Sequence, residues 1–145
     1  MNKYFIIIII AVLLIGGGVA YKKYGVQESD RPQTTGAVKE ITITAKKNEW
    51  RWEPEEFEAV QGDKIILTVI NEDDYDHGIA IEAFGVSQRI PANGKIVTEF
   101  VVTQPGEFPY YCSVPCGEGE VDGKIRGHFD QIGTIRVKSL ISQTQ

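Results

Sequence analysis

Residues 110–138, YYCSVPCGEGEVDGKIRGHFDQIGTIRVK, hold both cysteines of the chain and one of its two histidines. Cys112 and Cys116 form a C-x3-C pair directly after the strand-like EFPYY, and His128 opens a segment that closes on the β-branched GTIRVK. Two thiols so placed in an exported protein either close a small disulfide or are held by a metal.

Working outward, the same alternation recurs upstream in short pieces: EITITA (40–45), FEAVQGDKIILTVIN (57–71), HGIAIEAF (77–84), KIVTEFVV (95–102) and EFPYYC (107–112). Turn residues bound them, as in Gln61-Gly62-Asp63, residues 71–76, Pro91-Ala92-Asn93-Gly94 and Pro105-Gly106. No segment of useful length carries a helical period beyond the N-terminus. Short strands at this spacing predict an all-β domain, a β-sandwich of Greek-key type.

The N-terminus is different. From Tyr4 to Ala20 the chain is apolar without a charge, flanked by Lys3, Lys22 and Lys23. Roughly 20 apolar residues span a bilayer and a signal-peptide core needs about 7–15, so this run falls between them and nearer the anchor. Gly18-Val19-Ala20 offers a cleavage site if the run is a signal instead. With no polar face, a buried core helix is a poor alternative. The expected organisation is a membrane anchor or signal segment at 1–23, a Gly/Pro/Ser/Thr-rich linker at 24–38, the β domain at 39–140 and a tail at 141–145. The domain would face the extracytoplasmic side of the cell membrane on a single-pass tether. A formal net charge of −5 over 145 residues, with no basic stripe, argues against nucleic acid as a partner.

His77 begins a strand and His128 follows the cysteine loop, so all four residues lie at strand ends or in loops, where a rigid sandwich brings distant positions together. Thiolates and imidazoles suit zinc or copper and suit magnesium or calcium poorly. The absence of a compact H-x3-5-H pair counts against a zinc finger.

These residues resemble the soluble domain of cytochrome c oxidase subunit II, a cupredoxin that carries the binuclear copper centre CuA. The family has a strand-end histidine followed by Cys-x3-Cys-Gly-x-x-His-x-x-Met-x-Gly-x-Ile. The matching residues are His77, then Cys112 to Gly117, then His128, Gln131, Gly133 and Ile135. The likeness runs from about Glu40 to Lys138. It implies a cupredoxin-like sandwich with two copper ions bridged by Cys112 and Cys116. His77 and His128 would supply one imidazole each, and the Val114 carbonyl and Gln131 would be weak ligands. It further implies single-electron relay, no catalysis by the chain alone, and a redox partner such as a cytochrome or oxidase subunit I.

Two departures from that pattern matter. Ten residues, EGEVDGKIRG, stand between Cys116-Gly117 and His128 where the family has two. The in-frame reading would put Glu120 at the histidine position. His128 is preferred because GTIRV keeps the strand frame, and Val121 and Ile125 flanking Asp122-Gly123 predict a small hairpin that absorbs the extra length. Its acids, Glu118, Glu120 and Asp122, read as a solvated tip.

Gln131 replaces the family's methionine; its harder oxygen should favour oxidised copper. It also admits a single-copper site of His77, Cys112, His128 and Gln131 that leaves Cys116 spare. A copper-delivery protein and a metal-free, disulfide-closed interaction module are the readings from other classes. Trp50 and Trp52, two apart, would share one face of a strand and pack in the core. Glu53, Glu55, Glu56, Glu58, Asp73, Asp74 and Asp76 read as solvated surface.

Overall fold

The computed structural model describes residues 3–24 and 34–140. The chain divides into two compact units, residues 1–32 and 33–145. In the first, α1 runs Lys3–Tyr24, with side chains described at residue 4 and at 6–17. Among the described residues no helix is long and apolar enough to cross a membrane. The expected linker falls largely on residues 25–33 and the tail on 141–145, both outside the described residues, as are the side chains of Gly18-Val19-Ala20.

The second unit is the predicted sandwich. One sheet orders β2 (Trp52–Glu53), β1 (Val38–Ala45), β4 (Lys64–Asn71) and β7 (Lys95–Val101). The other orders β3 (Glu56–Val60), β11 (Ile132–Lys138), β8 (Gly106–Tyr111), β5 (His77–Ile81) and β6 (Val86–Ile90). The β1–β4 and β3–β11 pairs are parallel and the other pairs antiparallel. After β4 the chain crosses to β5 and β6, returns to β7 and crosses again to β8, an interleaving typical of Greek-key sandwiches. A separate two-stranded hairpin, β9 (Glu118–Val121) and β10 (Lys124–Gly127), stands beside them.

Period-two alternation explains the core. On β4, Ile65, Leu67, Val69 and Asn71 point inward, and on β11 Gly133, Ile135 and Val137 do the same. β5 is buried along its whole length, because it pairs with β6 on one side and β8 on the other. Trp52 and Tyr110 are the largest fully enclosed side chains.

Several local expectations are corrected. The segment HGIAIEAF is strand only to Ile81, since a 3-10 turn takes Glu82–Phe84 and ends on Gly85 at φ 67°. β2 and β6 carry too little alternation to be seen: one has two residues, and in the other only Val86 and Ile90 are buried. The hairpin forms where predicted, with Val121 opposite Lys124 and both Asp122 (φ 52°) and Gly123 (φ 75°) left-handed, as a type I′ turn requires.

Gly133 is required by close approach. It pairs with Tyr110, and a β-carbon there would overlap Cζ and Oη of the Tyr110 ring, whose hydroxyl donates to the Pro54 carbonyl (2.7 Å). The ring is fully enclosed and cannot swing away. Gly133→Ala should therefore cost about 1–3 kcal/mol, lowering Tm by roughly 4–8 °C for each kcal/mol. Thermal unfolding followed by circular dichroism reads it, and an unchanged Tm contradicts this packing.

Candidate metal centre

The start of β5, the turn after β8 and the 3-10 turn His128–Asp130 before β11 meet at one end of the sandwich. β8 ends at Tyr111, so Cys112 leaves the sheet with its backbone N–H donated to the Gln131 carbonyl (3.1 Å). The chain then folds back so that the Cys112 and Cys116 sulfurs lie 3.6 Å apart. A disulfide needs about 2.05 Å; both thiols are free.

The six residues expected as ligands, His77, Cys112, Val114, Cys116, His128 and Gln131, come together here. Nδ1 of His77 lies 3.6 Å from the Cys112 sulfur, and Nδ1 of His128 lies 3.9 Å from that of Cys116. The Val114 carbonyl oxygen is 3.1 Å from the first sulfur and the Gln131 Oε1 is 3.6 Å from the second. Each sulfur thus has one imidazole and one oxygen of its own. The nitrogen and sulfurs of His77, Cys112 and Cys116 lie within 4.8 Å of one another, and all three residues are buried. His128 is half-buried and falls outside that tighter group.

Two residues that sequence reasoning assigned only to packing hold the loops. Trp50 Nε1 donates to the Cys116 carbonyl and Trp52 Nε1 to the Gln131 carbonyl, both at 3.1 Å. They do not share a strand face: Trp50 precedes β2 with a left-handed φ of 45°, an outlier for a bulky residue, and its ring lies against Gly119 of the hairpin. The WRW spacing is visible in sequence; the left-handed turn that aims the first indole is not.

The acidic run also needs correction. Glu53, Glu55, Glu56, Glu58 and Asp74 are exposed as expected, and so are Glu118, Glu120 and Asp122 at the hairpin. Asp73 is fully buried, with Oδ2 at 2.8 Å from His77 Nε2. The loop that carries it is organised by Asn71, whose Nδ2 donates to the carbonyls of Tyr75 (2.8 Å) and Pro91 (3.0 Å), while Oδ1 accepts the Asp73 N–H (2.9 Å).

The electrostatics follow from burial and pairing. The Cys116 thiol beside it holds Cys112 well below the ordinary thiol range, and His77 and the Gly78 N–H add to this against the cost of burial. The same contact pushes Cys116 upward, so the pair loses its protons in separate steps, Cys112 first. Burial works to lower the His77 pKa, but hydrogen bonds to Cys112 and Asp73 outweigh it and raise it.

The donor set fits a soft transition metal: two sulfurs, two imidazole nitrogens and two carbonyl-type oxygens. Gln131 is fully enclosed, and among the described residues its Nε2 has no hydrogen-bond partner while Oε1 faces the sulfur pair. An amide left half-unsatisfied inside a protein is costly unless its oxygen has work to do. At Gly78 a β-carbon would overlap Ser113, so only glycine lets β5 come this close to the cysteine loop.

Residues 6–125 match the family model described as a cupredoxin-like domain. Nitrous-oxide reductase of Stutzerimonas stutzeri is 37% identical over 65 residues, a match covering 43% of this chain and 10% of that protein. The chain thus spans about a tenth of that relative's length.

Among solved structures, auracyanin A, a "blue" copper protein of Chloroflexus aurantiacus, superposes with a TM-score of 0.56 at 15% identity, covering 70% of this chain and 100% of its own. A chain of a heme-copper terminal oxidase dimer gives 0.55 at 17% identity, covering 94% and 97%. At these identities the structural likenesses show the fold.

The Asn71 network generates a test. Asn71→Ala removes the partner of the Tyr75 carbonyl and of the Asp73 N–H, while the Pro91 carbonyl keeps the Gly94 N–H; at about 1–3 kcal/mol for the first unsatisfied buried group, stability should fall by at least that much. Chemical denaturation of the metal-free protein measures it, and a loss below 0.5 kcal/mol, roughly the least expected of a single hydrogen bond, contradicts the assignment.

Proposed function

The chain belongs to the cupredoxin-like domain family, and we propose that it is an exported, membrane-anchored copper protein that relays single electrons through a CuA-like binuclear centre. The observation that carries this is the pairing of donors. Two unbonded sulfurs lie 3.6 Å apart, and each is flanked by its own imidazole nitrogen and its own carbonyl-type oxygen. The one-copper site of His77, Cys112, His128 and Gln131 would use four of these six donors and leave the Cys116 sulfur and the Val114 carbonyl idle. Cys112 and Cys116 would bridge, His77 and His128 would each hold one ion, and the Val114 carbonyl and Gln131 Oε1 would be the weak ligands. Copper bound there supplies a one-electron couple.

The protein's own contribution is rigidity. Both ligand loops are tied to the sandwich by indole N–H groups, and His77, Cys112 and Cys116 are shut away from water. A site that moves little when its charge changes by one transfers electrons fast. One electron arrives from a one-electron donor such as a cytochrome, and the same electron leaves to an acceptor such as oxidase subunit I. The apolar α1 would tether the domain to the cell membrane, on the extracytoplasmic side. The likeness to a terminal-oxidase chain, which extends over 94% of this chain, supports the subunit II reading.

A second reading has its own support. The tight group of His77, Cys112 and Cys116 stands without His128, so those three could hold a single ion, a set different from the one-copper site of His77, Cys112, His128 and Gln131. Delivery of copper to another protein is disfavoured by the burial of those three ligands.

Copper titration of the reduced full-length chain, with metal counted per chain, separates these readings. The binuclear reading predicts two ions in the native chain and loss of the paired site in Cys116→Ser; one ion in both proteins contradicts it. Gln131→Met should raise the reduction potential, because a thioether favours reduced copper more than an amide oxygen does. Protein-film voltammetry measures this, and an unchanged or lower potential contradicts the ligand role of Gln131.

A further inference from the structure

Asp73 stands apart from every other acid near the site. Asp74 is exposed and Asp76 half-buried, yet Asp73, in the same loop, has no contact with water. Enclosing a carboxylate is costly unless both oxygens are paired. Here Oδ2 faces His77 Nε2 at 2.8 Å, and Oδ1 accepts the backbone N–H of Asn48 at 2.6 Å. Asn48 presents that N–H from a left-handed conformation (φ 55°). The Asp73 main chain is fixed as well, its N–H by Asn71 Oδ1 (2.9 Å) and its carbonyl by the Asn93 N–H (2.8 Å). The carboxylate is therefore aimed, and its target is one nitrogen of one ring.

We infer that Asp73 is a positioning residue for the His77 imidazole: by taking the Nε2–H it turns the Nδ1 lone pair toward the sulfur pair and makes the ring a stronger donor to an oxidised metal. The inference rests on the copper reading above. A neutral imidazole has one N–H and one lone pair, and the group that accepts the N–H decides which nitrogen is left to ligate. Tyr75 and Trp52 confine the ring, with centroids 5.2 Å and 6.3 Å away, so its plane is fixed too. His128 differs. Among the described residues it has no carboxylate partner; its Nδ1 faces Cys116 at 3.9 Å and its ring meets Phe129 at 4.9 Å. The two imidazoles are consequently unequal, and the electron-rich one is His77.

Two substitutions separate charge from orientation. Asp73→Asn keeps one oxygen for the Nε2–H, gives up the one that accepts the Asn48 N–H, and removes the charge. It should bind the native amount of copper but prefer the reduced ion about tenfold more than the native chain does, which raises the potential by about 59 mV. Asp73→Ala removes the acceptor and should weaken copper binding about 10- to 100-fold.

In the copper(I)-loaded native protein, nitrogen-15 NMR should show His77 ligating through Nδ1, with a slowly exchanging Nε2–H that Asp73→Ala loses. Should Asp73→Ala fail to fold, the Asp73→Asn potential decides. Native potential in Asp73→Asn, or ligation through Nε2, overturns the inference while the copper reading stands. A native chain that takes up no copper overturns both.

Discussion

Two sulfur atoms held in contact but unbonded are the constraint around which this end of the sandwich is built. At 3.6 Å they are too far apart for a disulfide and too close for two thiolates to coexist comfortably, and burial keeps water from easing that repulsion. The contact pulls Cys112 below the ordinary thiol range and pushes Cys116 above it, so Cys112 is the more acidic partner. A cation between the sulfurs would relieve the repulsion. The surroundings suit that outcome: the Gly78 N–H points at Cys112 (3.5 Å), and imidazole nitrogens flank both sulfurs.

Holding the sulfurs there depends on groups far away in sequence. Cys116 is pinned through its carbonyl by an indole 66 positions earlier, and Gln131 by one 79 positions earlier. The β5 side is held through Asn71, which joins β4, the Tyr75 loop and the turn after β6. The eight extra residues do not dilute this scaffold, because the loop closes on itself as β9–β10 and returns the chain to the Gly117 carbonyl through the His128 N–H (3.1 Å). The hairpin thus delivers His128 to the place a shorter loop would have reached.

How much of this the sequence reveals depends on the range of the interactions involved. The long strands announce themselves by alternation, and His77, the cysteines and His128 stand at their ends, so the fold and the residues that meet at this end of the sandwich are legible. The Asp122-Gly123 turn is equally plain, since that dipeptide satisfies a local backbone demand. Asp73 is not legible, because an acid among acids in a loop is ordinarily solvated, and only tertiary packing of Asn48, Asn71 and His77 around it makes it an interior group. Trp50 misleads for the same reason: its spacing from Trp52 implies a shared face, but a left-handed turn sends its indole to Cys116 instead. β6 is hidden because it is buried only at its two ends.

On the proposed reading, the paired donor set would hold two copper ions that share one unpaired electron. An electron paramagnetic resonance spectrum of the full-length, copper-loaded chain tests it most directly. Hyperfine splitting from two copper nuclei is the expected result. A four-line pattern from a single nucleus would contradict it.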